Sequence, residues 1–360
     1  MKNVRAVILA GGRGTRLGPI TDGMPKPLVP VAGKPVLSHI LSLLASHGIR
    51  DAVVTLGYRA EDIRDYLDEN GTEGIRLRIR EEEKPLGTAG ALRELAGFLS
   101  DPFLVISGDA MTDFDLTAAL GYHREHGGVG TILTSESDTP HEFGVIEKDE
   151  TGKIVRFVEK PPRGLYASAE INAGVYILDK SVLSLVKRDG ETDFSRDLFP
   201  ALLGSLYACR LPGYWCDVGT PKSFLSCNRD ALAGKIRSIP AAPFRRGAGG
   251  EPGPHVQITW GSVIGRGVTL GAGSEIRGAI LMDGVTVGES AVVESAVLCE
   301  GVRVGTGAVI RSEAVIGKNA VIGDGVTIER GEMIPAEAAV FSAENGRNER
   351  EKAKKATEKR

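Results

Sequence analysis

The sequence predicts an α/β domain on a Rossmann-like, mostly parallel sheet, followed by a parallel β-helix of hexapeptide repeats. Three observations carry this. Short runs of branched apolar residues alternate with amphipathic stretches up to about residue 236. A segment rich in Pro, Gly and Ala follows at 240–255, "PAAPFRRGAGGEPGPH". Beyond it, apolar residues recur every six positions. A length of 360 residues suits two domains.

The strands come first. "VRAVILA", "DAVVTL", "IRLRIR", "PFLVIS" and "GVGTILT" are short and β-branched. Between them, "PVLSHILSLLASHG" places Val36, Leu37, Ile40, Leu41, Leu43 and Leu44 at helical spacing, with Pro35 suited to the first turn and Gly48 to the stop. Strands alternating with such helices argue for a sheet covered on both faces, whose ligands sit at the carboxyl ends of the strands.

Proline and glycine at 240–255 discourage both helix and ladder, which marks a linker. After it, Ile258, Ile264, Leu270, Ile276 and Met282 stand six apart, as do Val304, Ile310, Ile316, Ile322 and Ile328. Each hexad makes one short strand and a corner, and three make a coil. The phase slips between Met282 and Val287 and again near Cys299, and about four coils fit. The expected division is an α/β domain at 1–238, a linker at 239–256, a β-helix at 257–341 and a charged tail, disordered, at 342–360.

The totals exclude several classes. A net charge of −3 gives no basic footprint for nucleic acid. No apolar run approaches the roughly 18 residues of a membrane span, and no signal-peptide pattern opens the chain, so a cytoplasmic protein is expected. Cys209, Cys216, Cys227 and Cys299 lack CxxC spacing and read as reduced thiols.

The chemistry starts in "LAGGRGTRLGPITDGMPKPL", Leu9 to Leu28, where the first strand ends. Glycines there allow backbone N–H groups to approach phosphate; Arg16 adds a rigid fork of donors and Lys26 a point charge. A P-loop would need Lys-Ser or Lys-Thr after its last glycine, and the loop has neither. The dinucleotide fingerprint begins at Gly12-Arg13-Gly14, but Leu17 stands where its third glycine belongs. ATP hydrolysis and hydride transfer are therefore disfavoured.

With "PLGTAGAL", "ISGDA", "EFGVIE", "FVEKP", "INAGVYIL" and "YWCDVGTPKSFL", this loop resembles the signature of the sugar-phosphate nucleotidyltransferases over nearly the whole chain. "GTAGAL", "INAGVYI" and the Trp-x-Asp-Val-Gly-Thr-Pro run look most like mannose-1-phosphate guanylyltransferases. Glucose-1-phosphate thymidylyl-, uridylyl- and adenylyltransferases share most of these motifs. The resemblance also implies that the β-helix is left-handed, against the usual right-handed crossover.

The implied reaction joins a nucleoside triphosphate to a sugar 1-phosphate and releases pyrophosphate. Its nucleophile is already an anion, so catalysis is mostly positioning and electrostatics. By resemblance, Arg16 grips the phosphates that leave and Lys26 bridges the reacting ones. Asp109 and Asp217 match the pair that holds Mg²⁺. Leu9, Ala10, Gly11, Gly12, Gly14, Thr15, Pro85, Gly87 and Thr88 match the rest of the nucleotide site. Gly144, Glu159, Lys160, Asn172 and Gly174 match the sugar-phosphate side. Glu159 and Lys160 are neighbours, and adjacent strand residues face opposite ways, so both reach one ligand only if the strand breaks near Pro161-Pro162. Asp115 reads as a helix N-cap rather than a metal ligand.

Base choice turns on "REEEKPL". A carboxylate accepts both N1–H and the N2 amine of guanine, and Glu82 stands at the matching position, with Glu81 or Glu83 as the alternatives facing in. Guanine is thus the expected base, and the subfamily resemblance implies mannose 1-phosphate with GTP as the substrates. Hexad acyltransferases use a histidine inside the helix domain, and none lies beyond His255. A non-catalytic regulatory subunit of the same fold is the other alternative. The flat faces of the β-helix suit homo-oligomer contacts.

Overall fold

Branched apolar runs become the strands the sequence predicts: β1 (Arg5–Ala10), β2 (Asp51–Leu56), β3 (Arg76–Glu81) and β4 (Phe103–Ser107). The computed structural model describes residues 3–12, 14–82, 84, 86–187, 190–250 and 252–342. These four strands lie parallel in the order β4-β1-β2-β3. Val7 pairs with Val53 on one side and Val105 on the other, so the centre of the sheet is aliphatic on both edges of β1.

After Ala110–Thr112 (β5) come β6 (Gly130–Ser137), β7 (Gly144–Lys148), β8 (Ile154–Glu159) and β9 (Ala169–Leu178), then β10 (Leu206–Arg210) and β11 (Trp215–Asp217). β9 joins the parallel group antiparallel to β4, and β7, β8, β6 and β10 extend the sheet beyond it. The first predicted helix is α1 (Val36–Ser46), with Val36, Leu37, Ile40, Leu41 and Leu44 buried and Leu43 off the stripe. Gly48 follows in the left-handed region at φ 74°, which only glycine takes without cost.

Two units divide the chain: Met1–Arg13 with Val36–Asp217, and Gly14–Pro35 with Val218–Arg360. The expected boundary at 238/239 is therefore not where compactness divides. The reason lies in the second unit. The buried Asn228 of helix Pro221–Leu232 accepts the Ala32 N–H at 2.7 Å, so the 14–35 segment is tied to that helix. Thr220 and Ser223 cap the helix reciprocally, as a capping box does.

The rest of the second unit is a three-sided β-helix with sheets of six, five and five short parallel strands. It begins inside the expected linker: Phe244–Arg246 pairs with Ser262–Ile264, and Gly247 and Gly253 donate to Ile264 and Leu270. The glycines and prolines there are corners of a first coil, and strands continue to Ala339–Val340, more than the four coils expected. The inward apolar column runs Ile264, Leu270, Ile276, Leu281, Val287, Val293, Leu298, Val304, Ile310, and onward in steps of six to Ile334. Leu281, not Met282, is the inward residue, because the corners Gly278-Ala279 and Ser295-Ala296 are one residue short. Gly278 and Ser295 turn there with φ of 59° and 45°. Residues 343–360, where the charged tail was expected, lie outside the described residues.

Candidate functional site

In the first unit the candidate residues gather at the carboxyl ends of the parallel strands. The end of β1 meets the turn after β4: Gly108 donates its N–H to the Leu9 carbonyl at 2.7 Å. A Cβ on Gly108 would stand 2.8 Å from that oxygen, so Leu9 and Ala10 are held against the turn that carries Asp109. Gly11 lies against Gly57, and Gly12 has open space around it, as a backbone that receives a phosphate requires.

Asp109 and Asp217 lie more than a hundred residues apart in this unit's chain. The β5–β11 ladder places Asp217 opposite Ala110, one residue beyond Asp109. Ser107 donates its hydroxyl to Asp109 Oδ1 at 2.5 Å and so fixes one face of that carboxylate. Asp113 is a framework residue, accepting the Tyr214 N–H at 2.7 Å. Asp115 caps the helix Leu116–His126 through the N–H groups of Thr117 and Ala118. Among the described residues no group of three or more His, Cys, Asp or Glu side chains could hold a metal. Two neighbouring aspartates fit a hard cation that keeps waters and substrate phosphates as its remaining ligands.

Two of the residues expected on the sugar side, Asn172 and Gly174, form a bulge in β9. Its register slips between Asn172 and Val175. Asn172 Oδ1 accepts the Gly174 N–H at 2.9 Å and its amide donates to the buried Tyr176 hydroxyl at 3.0 Å, so its side chain holds the bulge. Gly174 has φ 72°, and a Cβ there would meet Ser107 Cβ at 2.9 Å. Trp215 donates its indole N–H to Ala173 O at 2.8 Å, clamping the same turn from β11.

Glu159 ends β8 opposite Gly144, where a Cβ would lie 2.9 Å from Glu159 Oε2. Burial pushes the Glu159 carboxyl above its ordinary range, with Lys160 opposing. Lys160 has φ 44°, so the strand breaks at that residue and the two neighbours need not face opposite ways.

Around the expected base site, Glu81 pairs with Arg64 at 2.9 Å on the surface. Glu82 is half-buried, accepts the Leu86 N–H at 3.4 Å, and has its carboxyl raised chiefly by burial. Glu83 and Pro85 lie outside the described residues. Gly87, at φ 76°, leaves room for only a hydrogen: a Cβ would stand 2.5 Å from Thr192 O. Thr88 donates to Asp193 Oδ2 at 2.8 Å and accepts the Phe194 N–H at 3.0 Å.

The second unit holds the remaining candidates. Gly14, Thr15, Arg16 and Lys26 belong to its 14–35 segment. Thr15 and Arg16, both exposed, open the 3₁₀ turn Thr15–Leu17, whose Leu17 is buried, after Gly14 in the left-handed region at φ 69°. Lys26 is only 6% exposed, unusual for a lysine, in a turn stiffened by Pro25 and Pro27.

Residues 5–234 match the nucleotidyl transferase family, and residues 247–328 match the EIF2B subunit epsilon LbH domain. The chain belongs to the sugar-phosphate nucleotidyltransferase family. Its β-helix is of the left-handed class. Over 294 residues the chain is 33% identical to the mannose-1-phosphate guanylyltransferase of Mycobacterium tuberculosis, covering 77% of this chain and 79% of the relative. Over 277 residues it is 34% identical to the UTP--glucose-1-phosphate uridylyltransferase of Synechocystis, covering 72% and 71%. The solved structure of HddC from Yersinia pseudotuberculosis complexed with GMP-PN is similar with a TM-score of 0.56 and 27% identity, covering 63% of this chain and 99% of that one. No helix among the described residues is long and apolar enough to cross a membrane.

Sequence reasoning did not single out Ser107 or the Thr192–Phe194 strap, and took Trp215 only as part of the Trp-x-Asp-Val-Gly-Thr-Pro run. Ser107 lies in the run Ile106–Ala110, but which group its hydroxyl meets is set by the turn after β4. The strap lies more than a hundred residues from Thr88, with no local signal for the pairing.

Proposed function

We propose that the protein transfers a guanylyl group from GTP to mannose 1-phosphate, giving GDP-mannose and pyrophosphate. One observation carries the base choice: of the two described glutamates in the acidic run, Glu81 is taken by Arg64, while Glu82 is half-buried beside the glycine-rich Gly87-Thr88 turn. A carboxylate there accepts the paired donors of guanine and repels the carbonyls of a pyrimidine. The named activity of the mycobacterial relative and the guanine nucleotide in the Yersinia complex support the same choice. The uridylyltransferase relative favours the second reading, UTP with glucose 1-phosphate.

In the proposed step a phosphate oxygen of the sugar 1-phosphate attacks the α-phosphorus. The new P–O bond forms as the bond to the bridging oxygen breaks, and pyrophosphate carries off that electron pair. Arg16 takes the β- and γ-phosphates and stabilises the leaving charge; Lys26 takes the reacting phosphates. Leu9 to Gly12, with Gly14 and Thr15, supply backbone approach. Asp109 and Asp217 would hold Mg²⁺, which offsets phosphate charge when bound. Lys160 pairs with the sugar phosphate and Glu159 accepts from sugar hydroxyls. Asn172, Gly174 and Gly144 keep that side open and shaped.

The presence of Arg16, Lys26, Asp109 and Asp217 together favours a catalytic over a regulatory subunit. The test is pyrophosphate release from GTP and mannose 1-phosphate with Mg²⁺. Asp109→Asn should lower it by at least about 100-fold; undiminished release would remove Asp109 from the reaction.

We further propose a cytoplasmic homo-oligomer assembled through the β-helix. The four cysteines lack CxxC spacing, which suits a reducing compartment, and the flat β-helix faces suit subunit contacts. Light scattering should give a mass above that of one chain; a monodisperse monomer would refute the assembly.

A further inference from the structure

The three faces of the β-helix are not alike. On the face carrying Ser262–Ile264, Ile280–Leu281, Val297–Leu298 and Val315–Ile316, the outward residues are Val263, Ile280, Val297 and Val315. Their exposures are 4, 2, 0 and 0%, yet none belongs to the inner core column. On a second face Thr269, Thr286 and Arg303 are exposed. On the third, Gln257 and Thr327 are exposed and Glu275, Val292 and Val309 half-buried. Over these four strands the face is therefore apolar and covered from outside, while Met333 on the next strand is 49% exposed.

Part of its cover is the 14–35 segment of the same unit. The helical turn Pro19–Asp22 packs against Val315–Ile316. Cys299 Sγ reaches the Pro19 carbonyl at 3.9 Å. A Cβ on Gly18 would stand 3.0 Å from Met333 Sδ, and one on Gly23 would stand 3.2 Å from Lys318 Cδ. Lys318 is itself held by Glu300 at 3.2 Å. Burial pushes the Cys299 thiol up to about 12, so it serves as a packing group rather than a nucleophile.

The contact continues to the cations. Thr21 Oγ1 lies 3.0 Å from the Gly14 carbonyl and 3.2 Å from the Gly18 carbonyl, bridging the two ends of the turn that contains Arg16. A Cβ on Gly14 would stand 3.1 Å from both Thr21 Cγ2 and Lys26 Cβ. A packed chain thus runs from Met333 through Gly18, Thr21 and Gly14 to Lys26.

We propose that this face of the β-helix is a positioning platform for the phosphate loop, with Cys299, Lys318 and Met333 fixing the Gly18–Gly23 backbone and thereby the placement of Arg16 and Lys26. The inference rests on the roles proposed above for those two cations. Cys299, Lys318 and Met333 are positioning residues: they act through the loop. Because Lys160 and Glu159, not the loop cations, are the main holders proposed for the sugar phosphate, disturbing the platform lowers kcat more than it raises the KM for sugar 1-phosphate.

The test compares the full-length Lys318→Ala/Met333→Ala double variant with the parent and with Arg303→Ala on an exposed face. Hydrogen exchange over residues 14–28, read without substrates, should be faster in the double variant and unchanged in Arg303→Ala. A structural role alone would lower Tm without changing turnover, so kcat and KM are measured at a temperature where every variant is folded. The expected result is a kcat fall of about tenfold, since misplacing catalytic groups by 1 Å costs on the order of 100-fold, with a smaller change in the sugar-phosphate KM. Unchanged exchange in the loop would overturn the platform. Faster exchange with parental kcat would overturn its role in catalysis. A parent that releases no pyrophosphate with any nucleotide would defeat the proposed function instead, and the exchange data would still decide the platform.

Discussion

Replacing Gly174 with alanine tests how the β9 bulge supports the chemistry. The substitution does two things. It forces a side chain into φ 72°, a left-handed conformation costing roughly 1–2 kcal/mol outside glycine. It also sets a Cβ 2.9 Å from Ser107 Cβ, where carbon atoms rest at about 3.5–4.0 Å. Relieving that overlap requires roughly 0.6–1.1 Å of movement, shared between the bulge and β4. Ser107 holds Asp109 Oδ1 at 2.5 Å, so any movement of Ser107 passes to the proposed metal ligand. The strain alone should lower Tm by about 2–8 °C. The displacement should lower kcat by about 10- to 100-fold, with the Mg²⁺ concentration for half-maximal rate raised. The assay is the initial rate of pyrophosphate release against Mg²⁺ for Gly174→Ala and parent, beside their melting curves. A variant with parental Tm, kcat within twofold and the same Mg²⁺ dependence would show that the bulge does not support Asp109.

Two further outcomes follow. Glu82→Gln keeps the shape of the side chain but loses the charge that guanine's two donors prefer. The kcat/KM for GTP should fall about 10- to 100-fold, and the ratio of UTP to GTP should rise; a parental nucleotide preference would acquit Glu82. His126 is neutral in the fold: its imidazole is lowered to about 4, first by burial and then by His123. Its Nδ1 accepts the Gly128 N–H at 2.8 Å, and its ring stacks on Tyr207 with centroids 4.0 Å apart. The unfolded chain takes up that proton near 6.5, so the stability this group contributes is complete above 6.5 and lost as pH falls toward 4. Tm should drop over that window, and drop less in His126→Gln; the same acid slope in both would contradict this.

The sheet was legible because its strands are locally apolar and β-branched, and α1 because its stripe keeps one period. The β-helix was legible as a period of six but not in its phase. Met282 fits the count, yet the one-residue deficit at Gly278-Ala279 turns Leu281 inward, and a short corner leaves no composition signal. The proline- and glycine-rich stretch at 240–255 read as a linker because those residues also make β-helix corners, and only pairing over eighteen residues separates the two. The candidate residues were legible as motifs. What holds them was not: the Ser107–Asp109 bond and the Asn172–Gly174 bulge are local but depend on how the backbone turns there, and the strap of Thr192 across Gly87 joins segments distant in sequence.

The most direct measurement is a matrix of initial rates of pyrophosphate release with Mg²⁺, crossing GTP, UTP, dTTP and ATP with mannose 1-phosphate and glucose 1-phosphate. GTP with mannose 1-phosphate should give the highest kcat/KM. A preference for UTP or dTTP, or for glucose 1-phosphate, would contradict the account.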